Sequence, residues 1–147
     1  MCIRDSYPSA VMALKATVHT NNRSIAADDF FTGMFETALE EDEIIESISF
    51  SKPTKANYVK FPNPASRYAM VGVFVAQFGD EVRVAVTGAG EGGVFRHQEM
   101  ESVLSSNFSA DSLSSVNIDS DGLISDLHAS AEYRANLIKE MTKRAVG

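Results

Sequence analysis

The sequence predicts an α+β fold, with helices packed on one face of an antiparallel sheet. One observation is order: residues 57–87 read as strands and residues from 97 onward read as helices, the segregated arrangement of such a unit. The other is a two-residue hairpin signal, Gly79-Asp80. It separates a nearly continuous apolar run, Arg67 to Phe78, from an alternating one that sets Val82, Val84 and Val86 against Arg83, Ala85 and Thr87. Strands joined this tightly are antiparallel, and the valines are expected to face a core.

Val11 to Thr20 is rich in β-branched and apolar residues and predicts a strand. Asn21-Asn22 forms the turn after it, and a short strand follows around Ser24 to Ala26. Asp28 and Asp29 precede Phe30, Phe31, Met34 and Phe35, a spacing that predicts one short amphipathic helix with its phenylalanines in the core. Residues 40–43 form an acidic connector into a strand ending at Phe50. Ile44, Glu46, Ile48 and Phe50 share one face and Ile45, Ser47 and Ser49 the other, so neither face is expected to be fully solvated. Residues 51–56, with Pro53 and two lysines, are the expected boundary between two units.

Asn57 to Phe61 reads as extended, and Pro62 and Pro64 then exclude regular helix. Gly88 to Gly93 predicts a turn after the hairpin. Met100, Val103 and Leu104 form a first helical face; Leu113, Val116 and Ile118 form a second, opened by Ser109 as N-cap. The last helix runs from Ser130 as N-cap to Ala145. Tyr133, Leu137, Ile138, Met141 and Ala145 make its stripe, with Glu132 at the positive end and Lys143 and Arg144 at the negative end.

Of 147 residues, 44% are hydrophobic and 22% charged, an ordinary globular balance in a chain the size of one small domain. Cys2 is the sole cysteine, which excludes an internal disulfide and thiolate-rich zinc or iron–sulfur sites. A net charge of −7 argues against nucleic acid and anionic membranes as partners, because both require cations. No run approaches the roughly 20 apolar residues of a membrane span. The N-terminus lacks a signal-peptide core, so a cytoplasmic location is expected. Residues 1–6, MCIRDS, resemble a translated adapter and read as a non-native leader, with the natural sequence starting near Tyr7.

Several motifs reduce to simple structure. GAGEGG at 88–93 satisfies G-x-G-x-x-G, but its strand is committed to a hairpin and Gly92-Gly93-Val94 starts a helix poorly, so a glycine turn is preferred over a dinucleotide site. His19, His97 and His128 lie on different elements without metal-ligand spacing. DSDG at 119–122 lacks the closing glutamate of a calcium loop and reads as a solvated turn. KFPNPASRY at 60–68 leaves two readings open. Its prolines stiffen a loop in which Lys60, Arg67 and Tyr68 suit a flat, anionic ligand; equally, it suits an exposed connector whose Tyr68 begins the core.

Four segments in order, FFTGMFETALEEDEII (30–45), KFPNPASRYAMVGV (60–73), VAVTGAG (84–90) and DLHASAEYRANL (126–137), resemble the FAD-binding medium subunit of the molybdenum hydroxylases, the xanthine dehydrogenase and aerobic carbon monoxide dehydrogenase family. NPASRYA is closer to the carbon monoxide dehydrogenase branch. The resemblance implies that residues 7–52 are the truncated α/β tail of a FAD-binding domain. Residues 55–147 would be the family's C-terminal domain, an antiparallel sheet of three to four strands with about three helices on one face. It further implies an oxidoreductase in which a large subunit carries molybdopterin, a small subunit carries two 2Fe–2S clusters, and the medium subunit passes electrons through FAD to an external acceptor. Lys60 and Tyr68 match the family's flavin-side lysine and aromatic residue, and Arg67 either joins them or positions the loop. SAEYR is expected to serve packing and capping. The family's pyrophosphate-cradling glycine loops lie upstream of this chain, so the chain alone is expected to bind FAD weakly or not at all and to be inactive. The alternative is a docking domain of the same fold without a cofactor.

Overall fold

The computed structural model describes residues 6–147. Of the expected leader, only Ser6 falls within them, as the first residue of helix α1 (Ser6–Ala13). The chain then forms β1 (Thr17–Thr20), β2 (Ser24–Ala26), a single helical turn α2 (Ala27–Phe30), β3 (Phe31–Gly33), β4 (Glu36–Thr37) and β5 (Ile45–Ser49). The second half contains β6 (Lys55–Pro62), β7 (Ala69–Phe78), β8 (Glu81–Gly90), β9 (Gly93–Arg96), α3 (Gln98–Ser106), a 3-10 helix (Ala110–Ser115) and α4 (Ala131–Val146). β6-β7-β8-β9 make a four-stranded antiparallel sheet, and β2-β1-β5 make a smaller one. This is the mixed architecture that the alternation and the hairpin signal predict.

Phe78 pairs with Glu81 across a two-residue loop, and Gly79 supplies the positive φ of 61° which that loop needs. Alternation then sorts the faces. Val71, Val73, Val75, Val82, Val84 and Val86 enter the large core beneath α3, the 3-10 helix and α4, with Met100, Leu104, Leu113, Ile138 and Met141. Ala76 and Ala85 face the other way, onto Met12 and Ala13 of α1. Ser130 caps α4 by accepting from the Tyr133 N–H, and Ser109 caps the 3-10 helix in the same manner from Asp111.

Four expectations are corrected. Residues 6–13 are helical, and only Thr17–Thr20 of the expected Val11–Thr20 strand is extended. Val11 packs into the small core with Val18, Ile25 and Phe30, while Met12 and Ala13 pack on the sheet. A helix buried on several sides has no polar face, so its period is invisible in the sequence. The Phe30–Phe35 helix is one turn followed by a β3–β4 hairpin, with Gly33 paired to Glu36. Phe30 is buried, but Phe35 sits in the turn at φ 64° and is 89% exposed. On β5, only Ile48 packs against the small core; Ile44, Ile45 and Phe50 are exposed. Lastly, Gly88–Gly90 continue β8 and Gly93–Arg96 form β9, so the glycine turn shrinks to Glu91-Gly92.

Charged groups tie the large sheet to α1, α2 and the turn after α1. Arg83 on β8 donates to the Met12 carbonyl at 3.0 Å and to both carboxylate oxygens of Asp28 at 3.0 and 2.8 Å. Asp28 also accepts from Arg96 at 3.2 Å, and Arg96 pairs with the buried Glu101, which accepts the Val84 N–H as well. Lys15 pairs with Glu81 at the hairpin end.

Candidate functional site

The loop from Lys60 to Tyr68 links the first two strands of the large sheet. Lys60 pairs with Gly72, and Gly72 with Thr87, in one row across β6, β7 and β8. A Cβ at Gly72 would lie 2.5 Å from the Tyr58 hydroxyl and 2.8 Å from that of Thr87, so glycine there makes room for two hydroxyls beside Lys60. Beyond Pro62 the chain leaves the ladder and closes on itself. The Asn63 N–H donates to the Tyr68 carbonyl at 2.7 Å, and the Arg67 N–H donates to the Asn63 carbonyl at 2.9 Å. Lys60 Nζ reaches across to donate to the Arg67 carbonyl at 3.2 Å.

Of the three sequence-predicted site residues, Arg67 and Tyr68 are thus held on one closed turn, and Lys60, on β6 beside it, is tied to that turn through the Arg67 carbonyl. Arg67 has φ 64°, an uncommon conformation for a residue with a side chain, which turns the chain back toward β7. Its guanidinium is exposed and carries no ion pair among the described residues. Tyr68 is 40% exposed, so its ring is accessible and is not part of the large core. The arrangement offers cationic donors and an aromatic face, which is chemistry suited to a flat ligand with electron-rich edges.

Other motifs fold into structural roles. Glycines 88–93 open a hairpin, and the next helix starts only at Gln98, after β9, so they lack the strand-to-helix turn of a dinucleotide site. Gly88, at φ 78°, passes so close to β7 that a Cβ would come 2.3 Å from the Ala69 carbonyl. His97 caps α3, its Nδ1 accepting from the Met100 N–H, and burial holds its pKa below the ordinary value. His19 bridges the Ser24 and Ser49 hydroxyls at 2.8 Å each. Asp119 accepts the Asp121 N–H within the DSDG turn. Among the described residues, no three His, Cys, Asp or Glu side chains converge as a metal site.

Tyr133 departs from its expected place in the α4 stripe. It is 45% exposed and meets Phe61 edge-on with ring centroids 6.4 Å apart. Arg134 is buried instead, and donates to the carbonyls of Met70 and Gly88 at 2.7 and 2.9 Å and to Asp126 at 2.9 Å. The Asp126 carboxyl is held below its usual range chiefly by the His128 N–H, with the Ala129 N–H and Arg134 adding to it. Sequence reading assigned SAEYR to packing and capping but did not single out Arg134 as a strut. It also missed a groove of about 740 Å³ between the β3–β4 hairpin and the Gly88–Gly93 segment, lined by Phe31, Met34, Phe35, Val94 and Ile124. Residues from distant segments line it, so no local pattern marks it.

No protein-family model matches the chain. Over 154 aligned residues, 95% of the chain is 33% identical to the nicotine 6-hydroxylase medium subunit of Paenarthrobacter nicotinovorans and covers 54% of it. The chain is related to a hydroxylase medium subunit. This upholds the resemblance drawn from its four segments. The fold of this medium-subunit relative also matches solved structures. It superposes on quinoline 2-oxidoreductase from Pseudomonas putida 86 with a TM-score of 0.74 at 24% identity, using 95% of this chain and 53% of that one. Reconstituted CO dehydrogenase from Oligotropha carboxidovorans gives a TM-score of 0.72 at 22% identity, using 95% of this chain and 54% of that one. The chain therefore spans about half the length of the proteins it matches. Among the described residues, no helix is long and apolar enough to cross a membrane.

Proposed function

We propose that the chain is part of the FAD-carrying medium subunit of a cytoplasmic molybdenum hydroxylase, and that the Lys60–Tyr68 loop forms one wall of its flavin pocket. The observation that supports this reading is the closed turn that ties Arg67 and Tyr68 to Lys60, residues for which the family resemblance implies a position beside the flavin. Residues 7–52 would end the flavin-binding domain and 55–147 would form the C-terminal domain. A molybdopterin-bearing large subunit would oxidise the substrate, and a small subunit with two 2Fe–2S clusters would conduct the electrons here.

Bound FAD supplies the carrier between those clusters and an external acceptor. This chain's own part is binding and orientation. Lys60 and Arg67 present positive charge to the electron-rich edge of the ring, where added negative charge is favoured, and the Tyr68 phenol covers its face. The residues present fit the ring and not the pyrophosphate, because the one glycine-rich segment is spent on a hairpin. Weak or no FAD binding by the 147-residue chain is therefore expected; stoichiometric yellow flavin retained through purification would overturn it. With the upstream half restored, Tyr68→Ala should alter the flavin absorption spectrum and weaken FAD binding by about tenfold, equivalent to about 1.4 kcal/mol. An unchanged spectrum and affinity would remove Tyr68 from the site.

The exposed Ile44, Ile45 and Phe50 favour a second reading, a docking domain without a cofactor. Neighbouring genes for a molybdopterin-binding large subunit and a two-cluster iron–sulfur subunit would decide for the flavoprotein. Their absence would decide for docking.

A further inference from the structure

We propose that Asn63 is the positioning residue that sets the Tyr68 phenol and the Arg67 guanidinium in place, an inference resting on the reading of the loop as a flavin wall. Asn63 sits between Pro62 and Pro64, neither of which has an N–H to give. From 62 to 68 the main chain therefore has five donors, those of Asn63, Ala65, Ser66, Arg67 and Tyr68. Four of them involve Asn63. Its side-chain Oδ1 accepts from Ala65 at 2.9 Å and from Ser66 at 3.3 Å. Its carbonyl accepts from Arg67 at 2.9 Å, and its own N–H donates to the Tyr68 carbonyl at 2.7 Å. The Tyr68 N–H, the fifth, reaches the Ser66 hydroxyl at 3.4 Å.

The consequence follows from Arg67. A side-chain-bearing residue at φ 64° persists only where its surroundings over-determine it. Here the constraint comes from Asn63 on one side and from Lys60, through the Arg67 carbonyl, on the other. Pro64 restrains Asn63 to extended backbone and so holds its carboxamide over the turn. Replacing the carboxamide frees the Ala65 and Ser66 donors to water, since both residues are exposed. The loss falls on loop order rather than on global stability.

The test uses a medium subunit with the upstream half restored, with FAD as the probe. Asn63→Ala should weaken FAD binding by about three- to tenfold, the range expected for one or two lost oriented hydrogen bonds. It should shift the flavin absorption and fluorescence in the same direction as Tyr68→Ala, while the melting temperature stays the same. Asn63→Asp, which keeps an acceptor oxygen in the same place, should restore the spectrum. Without flavin, the 147-residue chain should show increased NMR exchange of the Ala65 and Ser66 amides in Asn63→Ala and not in Asn63→Asp. A wild-type spectrum and affinity in Asn63→Ala, with Tyr68→Ala still altered, would overturn the inference alone, as would Asn63→Asp behaving like alanine. No response to Tyr68→Ala would overturn the flavin-wall reading, and this inference with it.

Discussion

Apolar side chains are used differently in the two sheets. Along β7, Val71, Val73 and Val75 are each 2% exposed or less, whereas Ile44, Ile45 and Phe50 around β5 are 43–66% exposed. The large sheet is held by its own buried face. The small one has a smaller core around Val18, Ile25 and Phe30 and adds polar ties to it, chiefly Glu43, which is buried and accepts from Arg23, Thr20 and the Glu40 N–H. The contrast teaches that strand sequence rich in β-branched residues can signal a finished core or a surface still available for contact. Under the proposed function, that surface belongs to a domain whose remainder lies upstream.

The largest effect is expected in the large core. Ile138 is fully buried under the sheet, and Ile138→Ala should cost about 3 kcal/mol in urea denaturation, the usual range for an aliphatic truncation that leaves a cavity. Arg134→Met should cost nearly as much, about 3 kcal/mol or slightly less. It keeps the apolar stem but strands the Met70 and Gly88 carbonyls and removes the cation from the Asp126 carboxylate. If methionine is tolerated without loss, the C-terminal unit rests on apolar burial alone, and the contrast sharpens.

Acid should act first on the small sheet. The Arg23 guanidinium, with the Glu40 N–H and the Thr20 hydroxyl, pulls the Glu43 pKa from about 4.5 to about 2. Because the folded pKa is depressed, its contribution is complete above the ordinary carboxylate pKa and is lost as pH falls from about 4.5 through 2. The protection factors of the β1 and β5 amides, taken relative to the intrinsic exchange rate at each pH, should fall over that window in the wild type and not in Glu43→Gln. The α4 amides should keep their protection longer, because Leu137, Ile138 and Met141 anchor that helix in the large apolar core. Smallest is Ile45→Ser, expected to change stability by no more than about 0.5 kcal/mol in this chain. A loss above 1 kcal/mol would show that β5 is already packed and would erase the contrast.

Legibility in the sequence followed the same division. Gly79-Asp80, the valine alternation of β8 and the Ser130 cap were readable because each is a local rule acting within a few residues. Lys60, Arg67 and Tyr68, the residues of the proposed site, stand out in the sequence as a set because Pro62 and Pro64 stiffen the segment between them and the resemblance implies their role. Asn63 was not, although an Asn-Pro pair is a turn signal, because its four hydrogen bonds become apparent only once the loop has closed. The α1 helix was misread because burial on several sides removes the polar face that marks a helical period, and Phe35 because composition cannot tell a core phenylalanine from one at a hairpin turn.

By itself, then, the sequence determined the α+β class, the hairpin, the capped helices and the family likeness, all of which are carried by local chemistry and residue order. The tertiary structure alone decided that Arg134 and Arg83 are buried struts, that Asp28 on α2 bridges two arginines of the large sheet, and that Lys60 reaches the Arg67 carbonyl. The physical reason is distance along the chain. Arg83 and Asp28 are 55 residues apart and Arg134 and Met70 are 64 apart, and an ion pair or carbonyl contact at that separation has no period or spacing for a sequence to display.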